Sequence, residues 1–143
     1  MTKPEKREEI TAEQREFAAN ALHSLPFSKL IGMKLVDLRP DEAVLSIEMR
    51  DDLRQPSGVL HGGVTATLID TAMAFAVRTR LEMTEATATI DLTVHYLRPH
   101  LTGVFTCTAK IVRAGKRIFT VSADVHNEEG KLIATGISTY TRV

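Results

Sequence analysis

From Val64 to Val77 the chain reads Val-Thr-Ala-Thr-Leu-Ile-Asp-Thr-Ala-Met-Ala-Phe-Ala-Val, and Gly62-Gly63 stands directly before it. The spacing predicts a helix over about 61–81. Its surface is apolar almost all round, and such a helix has to be buried. The remainder of a 143-residue chain must therefore wrap it, and that length supports one domain with one core. A single carboxylate, Asp70, interrupts the apolar surface. A buried carboxylate is costly unless it is paired, hydrogen-bonded or put to use.

The segments around this helix show how the wrapping is done. Residues 1–10 are expected to be a charged N-terminal tail, and 11–143 a single domain. Thr11-Ala12-Glu13-Gln14 has the capping-box pattern. Phe17, Ala18, Ala21, Leu22 and Leu25 then fall on one helical face, and Pro26 ends or kinks that helix. Strands are expected at about 34–39 and 43–49. A polar loop over 51–60 leads into the long helix. Four more strands follow, at 87–97, 104–112, 117–126 and about 131–142. In the first of these, Ala88, Ile90, Leu92, Val94 and Tyr96 alternate with Thr87, Thr89, Asp91, Thr93 and His95, a period of two. The last is less regular, with a bulge expected near Gly136. One-faced strands joined by short turns form an antiparallel sheet. The fold class is thus α+β: a curved antiparallel sheet of five to six strands around a long central helix, with a further helix at the N-terminus.

Composition excludes several functions. Formal net charge is zero, so no global field draws the chain to nucleic acid or to an acidic membrane. Trp is absent and aromatics make up only 5%, too few for a base-stacking platform. Cys107 is the one cysteine; it lies on an apolar strand face and reads as a buried thiol. His23, His95, His100 and His126 are scattered without metal-ligand spacing and read as surface residues. Neither a metal nor a redox cofactor is expected. The charged first residues lack an apolar stretch of the secretory kind, and Asp70 and Arg78 interrupt the longest apolar run before it could span a bilayer. A cytoplasmic setting is the expectation.

The chemistry concentrates around the glycine pair. Free backbone N–H groups at a helix start bind oxyanions, and Asp70 is available to drive attack on a carbonyl. The pattern Leu60-His61-Gly62-Gly63, then Asp70, then Ile90 to Pro99 (Ile-Asp-Leu-Thr-Val-His-Tyr-Leu-Arg-Pro), then Val112 to Arg117, resembles the hotdog-fold acyl-CoA thioesterases of the phenylacetyl-CoA thioesterase-like group. The resemblance covers about residues 30–143. The stretches 89–99 and 125–129 are also similar to YigI-type medium- and long-chain acyl-CoA thioesterases. The resemblance implies a hotdog fold and hydrolysis of an acyl-CoA to coenzyme A and a carboxylic acid, with coenzyme A as part of the substrate and no cofactor. It gives Gly62 the N–H that polarises the thioester carbonyl and Asp70 the catalytic carboxylate. Gln55 would help bind the carbonyl or position water. His61 would hold the loop with some substrate contact, and Thr89 would position the attacking water. Two positions depart from the pattern. Relatives with Gln-Pro at 55–56 often carry Glu where this chain has Asp70, and Ala74 stands where some relatives place a hydroxyl.

Alternatives stand beside each role. Asp70 could be satisfied by Arg78, Arg80 or backbone groups, and if it works it could act as a base or as a nucleophile. His61 could only anchor its loop, and Gln55 could be an ordinary loop residue. Gly62 and Gly63 serve a tight turn as well as close approach to a substrate. Arg98, Arg113, Lys116 and Arg117 are either solvated turn charges or contacts for the coenzyme A phosphates. Rival functions are an enoyl-thioester hydratase or dehydratase of the same fold, and a non-catalytic acyl-CoA-binding protein. Spacing decides the assembly: nine residues separate His61 from Asp70, roughly 13.5 Å along a helix and half a turn in facing. One helix cannot bring both ends to one carbonyl, so a homodimer with composite sites is expected, as in hotdog relatives. A dimer of dimers is left open.

Overall fold

The computed structural model describes residues 1–143. The expected helix forms as α3, Gly62–Arg78, three residues shorter at its C-terminal end than the periodicity suggests. Leu68, Ile69, Ala72, Met73, Phe75, Ala76 and Val77 are buried along it. Six antiparallel strands wrap it: β1 Lys34–Arg39, β2 Glu42–Glu48, β3 Thr87–Tyr96, β4 Val104–Ala114, β5 Ile118–His126 and β6 Leu132–Arg142. They lie in the order β1-β2-β4-β5-β6-β3, so β1 and β3 are the edges. This is the hotdog arrangement expected from the sequence.

The N-terminal helix α1, Ala12–Ser24, carries the expected capping box, with Thr11 and Gln14 exchanging both bonds. Its predicted face is only partly covered. Leu22 is buried, while Phe17 and Leu25 remain exposed. Pro26 does end α1, but it also starts a second helix, α2 (Pro26–Ile31), which the sequence reading did not include. Proline's fixed φ suits the first turn of a helix as well as its stop. The charged segment 1–10 has no helix or strand, yet it is anchored: Arg7 donates to the carbonyls of Thr79 and Leu81 at 2.8 and 2.9 Å.

The curvature comes from bulges, and on β6 the irregularity falls at Ile133 rather than at Gly136 itself. Gly136 pairs in register with both Val94 and Ala123. Its missing side chain serves packing instead. A Cβ there would lie 3.1 Å from Ile69 Cγ2 and 3.3 Å from the Thr93 carbonyl oxygen. Gly136→Val should accordingly destabilise the fold by about 1–3 kcal/mol, as overpacking does, read as a lower midpoint in urea. The register slips at Val36, Ile90 and Val112, each an extra residue opposite its neighbouring strand, and once more on β6 at the buried Ile133. The first three are exposed apolar residues. A bulged residue leaves the ladder and bends its strand, so these three break the alternation while curling the sheet around α3.

One assignment is corrected by the packing. His100 is 5% exposed, not a surface residue. Its ring stacks at a tilt on Phe105, centroids 4.9 Å apart. The expected faces of β4 and β5 hold, with Phe105, Cys107 and Ala109 on β4 and Phe119, Val121, Ala123 and Val125 on β5 all in the core, whereas the expected β3 face breaks at Ile90, which is exposed. Burial pushes the Cys107 thiol far above its ordinary range, which keeps it a packing group.

Candidate active site

The start of α3 is built by the loop before it. Gln55 to Gly58 form a tight turn closed by Gly58 N–H to Gln55 O at 2.9 Å. Gly58 adopts φ 91°, a left-handed value that glycine accepts without strain. The loop then returns, and His61 N–H donates to Leu53 O at 2.8 Å. His61 becomes the N-cap of α3, and its Nδ1 accepts the Gly63 N–H at 2.9 Å. That contact places the neutral ring's proton on Nε2.

The consequence falls on Gly62. With Gly63 capped, the Gly62 N–H at the first helical position has no protein acceptor. It carries the partial positive charge of the helix start. Its carbonyl is held from the other side, where Tyr96 Oη donates to Gly62 O at 2.7 Å. The Gly62 N–H lies at a cleft of about 360 Å³, lined also by Gln55, Thr65, Tyr96, Arg98 and His100. The Gln55 side chain turns back on Ser57, accepting its N–H at 2.6 Å. Gly63, expected to add a substrate contact, has its own N–H engaged by His61.

Asp70 lies eight residues further along α3 and does not line this cleft. It is no structural ion pair. Arg80 is held by Asp41, with two contacts of 2.7 Å, and Arg78 donates to Glu85 O while its guanidinium lies over the Phe17 ring. The Asp70 carboxylate is gripped by hydroxyls instead. Thr89 Oγ1 donates to Oδ1 at 2.7 Å and Tyr140 Oη to the same Oδ1 at 2.6 Å. Oδ2 receives no protein donor.

Thus the predicted residues gather in two places, one at each end of β3. Gly62, Gln55 and Arg98 are at the Tyr96 end, and Asp70 and Thr89 are at the start. Arg113, Lys116 and Arg117 lie with the latter, since the β4–β5 turn sits beside the β6 terminus that pairs with Thr87. The two tyrosines escaped the sequence reading. In the sequence Tyr96 is one more apolar residue in an alternation. Tyr140 sat in the least regular strand. A buried phenol does need a partner for its hydroxyl, but nothing local names which.

A curved sheet on a central helix, with an unspent amide at the helix start and an unpaired carboxylate within it, is the framework of an acyl-transfer hydrolase. The chain belongs to the thioesterase superfamily, whose sequence profile matches residues 57–134, and it is a thioester hydrolase. It is 30% identical to the medium/long-chain acyl-CoA thioesterase YigI of Escherichia coli K12, over 92% of this chain and 96% of that one. A thioesterase of Haemophilus influenzae superposes with a TM-score of 0.83 at 26% identity, covering 100% of this chain and 95% of the other. The Escherichia coli PaaI protein of the phenylacetic acid degradation operon shares the fold, with a TM-score of 0.85 at 21% identity over 94% and 96% of the two chains.

Proposed function

We propose that this chain is an acyl-CoA thioesterase that works as a homodimer with two composite sites. The carrying observation is the placement of Gly62 and Asp70 at opposite ends of one edge strand. β3 is ten residues long, unpaired along one side, and exposes Ile90 and Tyr96. Such an edge invites pairing with another chain. If two β3 edges pair antiparallel about a two-fold axis, the start of one lies against the end of the other. Gly62 of one subunit then faces the partner subunit's Asp70, and the reverse.

In that site the thioester carbonyl oxygen sits on the Gly62 N–H, which stabilises the negative charge developing there. The partner subunit's Asp70 takes a proton from water through Oδ2. The water oxygen bonds to the carbonyl carbon, the carbon–sulfur bond breaks, and the thiolate of coenzyme A leaves and is protonated. The partner subunit's Thr89 accepts a hydrogen bond from the same water while donating to Oδ1 of that Asp70. His61 acts through the cap that leaves Gly62 free, and Gln55 closes the rim of the cleft. Arg98 on one side, with the partner subunit's Arg113, Lys116 and Arg117 on the other, suits the phosphates of coenzyme A. YigI, which is named for medium- and long-chain acyl-CoA, suggests an acyl group of that size. No helix is long and apolar enough to cross a membrane.

A hydratase is disfavoured by the His61 ring, whose Nδ1 is spent on the Gly63 amide. The test is release of coenzyme A from a panel of straight-chain and aryl acyl-CoA thioesters. Turnover is expected across part of that panel. KM should be lower than for the nucleotide-free N-acetylcysteamine thioester of the same acid, and the difference should narrow as salt rises. Hydration of an enoyl-CoA without release of coenzyme A would overturn the proposal.

A further inference from the structure

Along the inner face of the β3–β6 ladder the paired residues are Val94 with Gly136, Leu92 with Ser138, and Thr89 with Tyr140. The step from Leu92 to Thr89 is three residues, while that from Ser138 to Tyr140 is two. The bulge at Ile90 absorbs the difference. An unbroken period of two would leave Thr89 on the face of Asp91 and Thr93, pointing away from α3. The bulge turns Ile90 outward, 54% exposed, and turns Thr89 inward to Asp70. Bulges near active sites commonly re-aim a side chain in this way.

Opposite Thr89, Tyr140 is 1% exposed and its hydroxyl reaches two oxygens of one residue. It lies 2.6 Å from Asp70 Oδ1 and 2.6 Å from the Asp70 carbonyl oxygen. Its single O–H hydrogen is shared between these two acceptors, and a contact shared between a residue's main chain and side chain fixes how that side chain is turned. Burial, and then the adjoining Asp70 carboxylate, push the phenol far above its ordinary value, so it donates at any working pH.

We propose that Tyr140 is a positioning residue of the hydrolytic site: with Thr89, its cross-strand partner, it holds the Asp70 carboxylate by Oδ1 and leaves Oδ2 as the oxygen that works on water. The inference rests on Asp70 being the working carboxylate. Tyr140 does not touch the substrate, so its loss reaches catalysis only through Asp70.

Three measurements test it. Tyr140→Phe should lower kcat by about 10- to 100-fold, the worth of one hydrogen bond to a charged group, with KM nearly unchanged. In an Asp70→Asn background the same substitution should add no further loss, because groups acting through one another are not additive. A tyrosine that merely supports the fold would lower both backgrounds alike, and that result, or full activity of Tyr140→Phe, overturns the inference. Should Tyr140→Phe fail to fold, the ¹³Cζ resonance of Tyr140, assigned by comparison with Tyr96→Phe, should move on Asp70→Asn; an unmoved resonance overturns it too. If Asp70→Asn itself is fully active, it is the hydrolytic reading that fails instead.

Discussion

Asp70→Asn should lower kcat for thioester hydrolysis by about 10²- to 10⁴-fold, the usual worth of a positioned general base. KM should change little, because the carboxylate meets the water and not the bound acyl or nucleotide groups. The substitution is a narrow one. The asparagine side-chain oxygen can still accept from Thr89 and Tyr140, which now share Oδ1 at 2.7 and 2.6 Å. No ion pair is broken, since Arg78 and Arg80 are engaged elsewhere. Thermal stability and oligomeric state should therefore survive, and the lost activity belongs to the charge. Asp70→Ala should lose activity similarly but fold slightly less well, because Thr89 loses its acceptor and Tyr140 keeps only the Asp70 main-chain carbonyl. The measurement is steady-state coenzyme A release beside a melting curve and a sedimentation profile. Full activity in an intact Asn variant would remove Asp70 from the mechanism.

The parts of this site that a sequence can reveal are those written in local patterns. The helix over Gly62–Arg78, the capping box at Thr11, and the one-faced strands β4 and β5 all follow from spacing within a few residues, and the structure places them there. Gly62 and Asp70 were legible for the same reason, a glycine pair and a lone acid on one helix. What escaped depends on pairing across long separations. Ala88, Ile90 and Leu92 keep a perfect alternation in the sequence, and only the register against β6 shows that Ile90 is extra and Thr89 faces inward. Tyr140 meets Asp70 across 70 positions. On β6 the slip falls at Ile133, while Gly136 stays in register for a reason its own neighbours cannot show, the crowding helix surface at Ile69. The burial of His100 likewise depends on Phe105 closing over it.

Gly62→Pro should lower kcat by about 10²- to 10³-fold, the range for loss of one oxyanion donor. The position tolerates the change. Gly62 is the first residue of α3, where proline is favoured and the missing N–H breaks no helical bond. The residue before it, His61, already holds φ −63° and ψ 129°, the extended conformation that a following proline requires. A new Cβ would meet the Tyr96 ring at 3.2 Å, but Gly62→Ala adds that same atom while keeping the N–H. Alanine therefore reports the crowding by Cβ, and the gap between the two variants reports the lost donor together with the ring carbon that replaces its hydrogen. The pair also decides where the acid comes from. In a heterodimer of one Gly62→Pro subunit and one Asp70→Asn subunit, pairing in trans gives one site with both defects and one with neither. About half the wild-type activity should then return, although each parent homodimer is nearly inactive. If amide and acid belonged to the same subunit, every site would carry one defect and nothing would return.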